Sequence, residues 1–384
     1  MSGGIGGAAG SRQPAAGSLS RSEVEAAVSL VKPQVRRMAA YTLHPYEPTI
    51  KLNQNESPYD VPAELKRRLQ ERLAARPWNR YPPFIAHDFI SAVAEATGWG
   101  EDGILVANGS NELIQAVLAV VVGPGVEVVI PEPTFTLYRL MTEVNGGDPV
   151  PVPLTPELCF DVEAIVAAAA DASVVVLCTP NNPTGSALTR EEIVRIHDGT
   201  RALVVLDQAY VEFGGYDAIE LLAERPRLLV LRTFSKAVAL AGLRAGYLLG
   251  HPALVEQINK GKLPYNVNFF TEAVAAEVLR HRDLFRPQVA EIRAGRDLLY
   301  RELGAMPGIR AYPSEANFVL FRVEAEGLDH RAVFDRLLGE YGVLVRDVSK
   351  YPMLAGCLRV NAGTPRENDV FLTALREILQ EARR

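Results

Sequence analysis

The segment Ser-Val-Val-Val-Leu-Cys-Thr-Pro-Asn-Asn-Pro-Thr-Gly, residues 173–185, joins a continuously apolar run to a rigid polar turn. An apolar run without alternating polar residues is typical of a strand buried on both faces of a parallel sheet. Two similar runs follow at 202–206 and 228–231, and helical patterns such as 190–197 lie between them. Strand and helix therefore alternate, which predicts an α/β domain with a mostly parallel sheet.

The chain extends beyond these strands in both directions. A Gly-, Ala- and Ser-rich stretch opens the sequence, and residues 1–22 are expected to be a disordered tail. Residues 23–62 should form one helix, at 23–38, and an extended arm. A large domain at 63–284 and a smaller α+β domain at 285–384 complete the prediction, because short strands follow a long helical pattern near the carboxyl end.

The overall composition argues against several classes of partner. The 384 residues carry a formal net charge of −6, and the short basic clusters form no patch. A nucleic acid or an anionic membrane would favour such a patch, so neither is expected to bind. The longest apolar runs, such as 113–122, reach about half the ~20 residues of a membrane span. The opening stretch also lacks the pattern of a signal peptide.

The three cysteines, Cys159, Cys178 and Cys357, are widely spaced and include no CxxC pair. Neither a disulfide scaffold nor a structural zinc site is therefore expected, and no metal site is predicted. A reducing cytoplasm fits this pattern.

A polar turn follows the first buried run. The turn at 179–185 contains two prolines and a glycine and carries Asn182. Ligands of open α/β sheets bind at the carboxyl ends of the strands, so the turn is a candidate binding element. Taken alone, an ordinary tight turn explains it equally well.

The second buried run ends in Asp207, and Tyr210 follows three residues later. A carboxylate at the end of a buried strand is costly unless it meets a cation or hydrogen-bond donors, and a protonated ring nitrogen would be such a cation. Tyr210 could reach the same ligand. The alternative is that Asp207 caps the following element.

The third buried run leads to Ser235 and Lys236, with Arg244 shortly after. A lysine between a hydroxyl and apolar residues is poised to be desolvated, which lowers the pKa of its ammonium group and frees the amine to attack a carbonyl carbon. Ser235 and Arg244 suit a single phosphate group. A Ser-Lys pair is a weak signal alone, but polar groups after three successive strands make a strong one.

Two further features support a bound anion and a flat ring. The turn at 108–112 joins a strand to a helix, so its backbone N–H groups and the helix dipole would favour an anion. Phe135 could present an aromatic face to a ring, although a core phenylalanine is equally compatible with the sequence.

Together these segments resemble the fold-type I pyridoxal-phosphate enzymes, the aspartate-aminotransferase-like superfamily. The most specific segments are 180–185, 207–210, 233–237 and 242–244. Within the superfamily the chain is similar to the histidinol-phosphate aminotransferases. That placement rests on six further segments, at 35–41, 51–58, 80–82, 108–112, 345–347 and 358–364.

The resemblance implies a large domain with a mostly parallel seven-stranded sheet and a smaller α+β domain. It implies pyridoxal 5'-phosphate as the cofactor, with Lys236 as the lysine that bonds to it and then moves a proton. Asp207 would pair with the ring nitrogen, Asn182 and Tyr210 would hydrogen-bond the phenolic oxygen, and Phe135 would stack on the ring.

The resemblance also implies how the cofactor phosphate is held. Ser235, Arg244 and the backbone at Ser110 and Asn111 would bind it within one chain. Tyr81 would reach the same phosphate from the neighbouring subunit, which implies a homodimer with shared active sites.

The implied substrates are an amino donor and a 2-oxo acid acceptor. Arg359 should bind an acidic group, the carboxylate of glutamate or the phosphate of histidinol phosphate. Arg346, Asn55 and Tyr41 are the implied helpers, and Tyr265 of the partner subunit is a weaker candidate.

Three departures from the family pattern stand out. Gln208 replaces a common glutamate, and Ser57 replaces an asparagine. Tyr41 has the expected spacing from the preceding Val-Arg pair, whereas Tyr46 has the Pro-Tyr context that the family often shows, so Tyr46 stays an alternative to Tyr41.

Rival functions share most of these residues. Transamination of aromatic amino acids and decarboxylation of threonine phosphate would use the same cofactor site. A non-catalytic cofactor-binding sensor would be expected to carry a DNA-binding domain, and the region before residue 35 is too short for one.

Overall fold

The structure is a computed structural model that describes residues 20–39 and 45–382. The chain divides into two units, residues 1–43 and 44–384. The first unit contains helix α1 (Arg21–Ser29) and helix α2 (Pro33–Arg37). The prediction of one helix at 23–38 was wrong, because Pro33 lacks the N–H that a continuous helix needs and starts a new helix instead.

The predicted tail at residues 1–22 is also too long at its carboxyl end. Helix α1 starts at Arg21, where Ser20 and Glu23 form a capping box that supplies partners to the first N–H groups. Residues 1–19 lie outside the described residues.

The second unit contains the remaining helices and all the described strands. The helices are α3 (Ala63–Ala74), α4 (His87–Thr97), α5 (Ser110–Val121), α6 (Leu137–Asn145), α7 (Val162–Ala168), α8 (Arg190–Asp198), α9 (Pro252–Asn259), α10 (Phe269–Arg280), α11 (Arg286–Gly304), α12 (His330–Gly339) and α13 (Pro365–Glu381). The strands are β1 (Ile50–Lys51), β2 (Ile104–Ala107), β3 (Glu127–Glu132), β4 (Asp148–Pro153), β5 (Val174–Cys178), β6 (Leu203–Asp207), β7 (Leu228–Thr233), β8 (Gly246–Leu249), β9 (Ile309–Ala311), β10 (Phe318–Val323), β11 (Val343–Leu344), β12 (Arg346–Asp347) and β13 (Cys357–Asn361).

Seven strands form one large sheet in the order β2-β8-β7-β6-β5-β3-β4. Strand β8 runs antiparallel to both neighbours, and the other pairs are parallel. The predicted mostly parallel seven-stranded sheet is confirmed. Cys178 pairs with Asp207, and Asp207 pairs with Leu231, so β5, β6 and β7 end side by side. The polar segments after these strands therefore share one edge of the sheet.

Strand β4 was missed because its sequence contains three prolines. Pro149, Pro151 and Pro153 alternate along the strand, which pairs only with β3 at the end of the sheet. Proline cannot donate to a sheet ladder and is tolerated where the N–H side of a strand has no neighbour. The edge position therefore explains the prolines.

The carboxyl-terminal region contains a separate antiparallel sheet in the order β12-β13-β10-β9, and β1 pairs in parallel with β11. Helix α13 contacts α11 and α12, helix α11 contacts β9 and β10, and helix α12 contacts β13. Buried apolar residues of these elements form one hydrophobic cluster, which also includes Tyr210 and Ala237. The α+β character agrees with expectation, while the domain boundary at residue 285 stays a prediction.

The described residues offer no helix long and apolar enough to cross a membrane. Within the same ranges, His, Cys, Asp and Glu side chains form no group of three that could hold a metal ion. Cys159, Cys178 and Cys357 are all free thiols.

Candidate active site

Asp207 lies at the carboxyl end of β6 and is only 3% exposed. The Tyr138 hydroxyl donates to its Oδ2 at 2.7 Å, and the Ala209 N–H donates to its Oδ1 at 3.1 Å. The pKa of Asp207 is raised above its usual value by burial, although these two donors and the charge of Lys236 oppose the shift. The carboxylate is thus held by hydrogen bonds and lies within electrostatic reach of Lys236.

Lys236 follows β7 and is half-buried. Its Nζ donates to the Gln54 carbonyl oxygen at 2.9 Å. Burial, and then the charge of Arg359, lower the pKa of Lys236 to about 8. A substantial fraction of the amine is therefore neutral near pH 8, as a nucleophile or a proton acceptor requires.

The lowered pKa of Lys236 predicts a pH-dependent effect on stability. Lys236→Met in the cofactor-free chain is expected to raise the free energy of unfolding at pH 7 by about 2 to 3 kcal/mol, because the folded chain no longer buries a charge. The pKa is about 8 in the folded chain against a usual 10.5. Between these values the unfolded wild-type chain holds a proton that the folded chain has lost. Wild-type stability therefore rises with pH, and the advantage of the variant shrinks.

Urea unfolding of both proteins between about pH 7 and about pH 11 would measure this effect. Lys260→Met, at an exposed lysine, is the matched control and should show no such trend. A difference between Lys236→Met and wild type that stays constant across this pH range would contradict the prediction.

Two arginines lie side by side on adjacent strands of the carboxyl-terminal sheet. Arg346 on β12 is directly opposite Arg359 on β13, so the two side chains leave the same face. The Arg359 Nη2 donates to the Asn53 carbonyl oxygen at 2.8 Å, and its Nη1 donates to the Asn182 amide oxygen. Like charges directly opposite each other are unfavourable. The pair therefore suits an acidic ligand group.

Asn55 connects Tyr210 to the carboxyl-terminal sheet. Its Nδ2 donates to the Tyr210 hydroxyl at 3.0 Å, and its N–H donates to the Asn361 Oδ1 at 3.2 Å. Its φ of 54° lies in the left-handed region, which asparagine tolerates better than most residues. Burial raises the pKa of Tyr210, so the hydroxyl stays neutral and can donate a hydrogen bond.

A second group of candidate anion-binding residues lies at the start of helix α5. The Arg244 Nη1 donates to the Ser235 Oγ at 3.1 Å. The Arg244 guanidinium also covers Gly109, where an added Cβ would be 2.6 Å from Nη2. Ser110 is the first residue of α5, and its neighbour Asn111 is exposed. A hydroxyl, a guanidinium and a helix amino terminus thus converge in a way that fits a phosphate group.

The aromatic candidates have different surroundings. Phe135 is half-buried and meets the Tyr138 ring edge to face, with centroids 5.7 Å apart. Tyr81 is 81% exposed and stacks on Tyr265 with centroids 4.8 Å apart. Tyr46 contacts the Phe334 ring. The choice between Tyr41 and Tyr46 stays a prediction, because Tyr41 lies outside the described residues.

Three hydrogen bonds in this site could not be predicted from the sequence. Tyr138 binds Asp207 from 69 residues away, and the carbonyl groups of Asn53 and Gln54 accept from Arg359 and Lys236. Every residue has a backbone carbonyl group, so the residue types at positions 53 and 54 do not indicate these hydrogen bonds. Tyr138 sits in a helix with an ordinary apolar pattern, so its role could be found only from the fold.

Residues 47–375 match the family model for aminotransferase class I and II. The chain belongs to this family. It is 41% identical to a histidinol-phosphate aminotransferase of Chlorobium phaeovibrioides over 90% of this chain and 96% of that protein. It is also 41% identical to a histidinol-phosphate aminotransferase of Prosthecochloris aestuarii, over 90% and 97% of the two chains.

The fold of this chain also resembles that of a solved aminotransferase structure. The histidinol-phosphate aminotransferase of Sinorhizobium meliloti, solved in complex with pyridoxal-5'-phosphate, superimposes with a TM-score of 0.83. It is 26% identical, and the match covers 92% of this chain and 98% of that one. The aminotransferase fold inferred from the sequence is therefore confirmed.

Proposed function

We propose that this chain is a pyridoxal 5'-phosphate-dependent aminotransferase that takes its amino group from histidinol phosphate and passes it to 2-oxoglutarate, in histidine biosynthesis. The observation that carries the proposal is the convergence of Lys236, Asp207 and the Ser235–Arg244 pair at one sheet edge. The named relatives at 41% identity support the choice of substrate.

The residues at this edge fit the cofactor group by group. The Asp207 carboxylate would oppose a protonated ring nitrogen, and Phe135 offers an aromatic face for the ring. The phosphate would lie between Arg244, Ser235 and the first N–H groups of helix α5, beginning at Ser110.

When bound, pyridoxal phosphate supplies an electron sink for the negative charge left on the substrate Cα. Lys236 would accept the proton from the substrate Cα and later return it, and its lowered pKa suits both removal and return of that proton. Burial raises the pKa of Asp207, so its charged form would depend on a protonated ring nitrogen of the bound cofactor, together with the hydrogen bonds from Tyr138 and Ala209. Asn182 and Tyr210 would hydrogen-bond the phenolic oxygen.

Arg359 and Arg346 bind the acidic group of each substrate in turn. Their opposed positions on β13 and β12 allow two guanidinium groups to meet one phosphate or carboxylate. Asn55 would contribute from the arm beside them. The Arg359 guanidinium also lies over the Phe318 ring, 5.0 Å from its centroid, which fixes its direction.

A comparison of amino donors tests the substrate. Histidinol phosphate is expected to react at least about 10-fold more efficiently, as kcat/KM, than phenylalanine or threonine phosphate. Arg359→Lys should lower that kcat/KM by about 10- to 100-fold, because lysine cannot make two parallel hydrogen bonds to the anion. Single-turnover absorbance changes of the cofactor-loaded protein measure both effects.

Arg310→Lys, at an exposed arginine on β9, is the matched control and should behave like wild type. Faster reaction with phenylalanine would favour an aromatic aminotransferase. Release of carbon dioxide from threonine phosphate would favour a decarboxylase.

The proposal includes a homodimer with shared active sites. Tyr81 and Tyr265 stack on each other at the surface, and Phe84 meets the Tyr265 ring edge to face. Exposed aromatic groups of this kind are enriched in protein interfaces. In the proposal, Tyr81 reaches the cofactor phosphate of the neighbouring subunit. Sedimentation at micromolar concentration should give twice the chain mass, and a monomer would oppose this part of the proposal. A cytoplasmic location stays a prediction.

A further inference from the structure

We infer that Tyr138 is a positioning residue that holds two cofactor-facing side chains at once, Asp207 through its hydroxyl and Phe135 through its ring. The inference rests on the proposed function, because it concerns how side chains of the same site are held in position to bind pyridoxal phosphate.

The hydrogen bond from Tyr138 holds the Asp207 carboxylate independently of the backbone segment that carries Asp207. The Tyr138 hydroxyl donates to Oδ2 at 2.7 Å, and the Ala209 N–H donates to Oδ1 at 3.1 Å. Ala209 is two residues along the same backbone, so it moves with Asp207 and cannot fix it relative to the rest of the sheet. Tyr138 comes from helix α6, 69 residues earlier in the chain. It is thus the side chain that ties this carboxylate to a second element.

Burial makes this hydrogen bond important. Tyr138 is fully buried, and Asp207 is nearly so. A buried carboxylate that loses a donor bears a large desolvation cost, whereas hydrogen bonds to an ionised group are stronger than neutral ones. The neighbouring Cys178 thiol does not replace the donor, because its Sγ donates to the Pro180 carbonyl oxygen at 3.4 Å and a thiol is a weak donor.

The ring of Tyr138 contacts a second candidate side chain of the site. Phe135 meets it edge to face, with an interplanar angle of 85°. The segment before it is fixed to the turn after β5, where the Asn181 Nδ2 donates to the Pro133 carbonyl oxygen at 2.9 Å and the Thr134 hydroxyl donates to the Asn181 Oδ1 at 2.7 Å. Phe135 is therefore held between a fixed backbone and the Tyr138 ring.

A double-mutant cycle on cofactor binding tests the inference. The full chain, freed of cofactor, is titrated with pyridoxal phosphate for wild type, Tyr138→Phe, Asp207→Asn and the double variant. Tyr138→Phe should raise the Kd about 10-fold, because it removes one hydroxyl from a charged acceptor. In the Asp207→Asn background the same change should raise it less than about 3-fold, because the charge is already gone.

A merely structural role predicts a different result. Lost packing would raise the Kd by the same factor in both backgrounds, and that outcome overturns the inference, as would an unchanged Kd in Tyr138→Phe. Tyr138→His, which keeps a ring and an N–H donor, is a second variant and should bind more tightly than Tyr138→Phe. Equal or weaker binding by Tyr138→His would count against the hydrogen bond.

Two controls separate this inference from the proposed function. Tyr312→Phe removes the hydroxyl of another buried tyrosine and should leave the Kd unchanged. Wild-type chain that fails to bind pyridoxal phosphate would refute the proposed function itself. Normal wild-type binding with an additive cycle would refute only the role of Tyr138.

Discussion

Lys236→Ala is expected to lower the rate of transamination by about 10⁴-fold or more, the largest loss of any single change in the chain. The variant removes both the amine that bonds to the cofactor and the base that moves the proton, and positioned proton transfer alone contributes about 10²- to 10⁴-fold. The structure makes this amine suitable for both roles, because burial and Arg359 lower its pKa to about 8.

The loss can be measured by two independent readouts. Steady-state assays with histidinol phosphate and 2-oxoglutarate give the rate. Borohydride reduction followed by mass spectrometry shows whether the cofactor bonds to the chain, and only chains that retain Lys236 should gain its mass. Lys260→Ala is the matched control, since that lysine is exposed and should be reduced and turn over like wild type. Transamination at the wild-type rate by Lys236→Ala would refute the assigned mechanism.

Asp207→Asn is expected to lower kcat by about 100- to 1,000-fold. The substitution keeps the shape of the side chain but removes the charge that opposes the ring nitrogen, and loss of one such preorganised electrostatic contact has effects of this size. Asp207 is well placed for the role, because it lies at the end of β6, is buried, and is held by donors at both oxygens.

The same variant should also be more stable without cofactor, because a buried carboxylate is replaced by a neutral amide. Rate measurements with the cofactor at saturating concentration separate the loss in kcat from weaker cofactor binding. Asp148→Asn, at the exposed start of β4, is the matched control and should leave kcat unchanged. A kcat for Asp207→Asn within about 3-fold of wild type would show that the carboxylate has no role opposite the ring nitrogen.

Much of the architecture could be predicted from local patterns. The runs 173–178, 202–206 and 228–231, which form most of β5, β6 and β7, are apolar, and this pattern is typical of strands covered on both faces. Strand β4 could not be predicted in the same way, because Pro149, Pro151 and Pro153 argue against a strand unless its place at the edge is known. Helix α1 ends before the predicted position because Pro33 lacks the N–H that a continuous helix would need there, although the apolar spacing continues.

The candidate cofactor-binding residues could be predicted as a set because each follows a strand. Parallel strands end at the same edge, so Asn182, Asp207 and Lys236 had to be neighbours once the sheet was assumed. The cross-strand pairing of Arg346 with Arg359 depends on the register of a short antiparallel ladder, which no local pattern specifies.

The sequence by itself determined the chemistry available to this protein: an amine, a carboxylate and an arginine, each placed after an apolar run that had to be buried. Tertiary structure decided how those groups behave. The pKa of Lys236 falls because distant residues bury it, and Asp207 is anchored by a hydroxyl 69 residues away. Burial and long-range hydrogen bonds depend on which surfaces meet in space, and that information exists only after the strands have packed into a sheet.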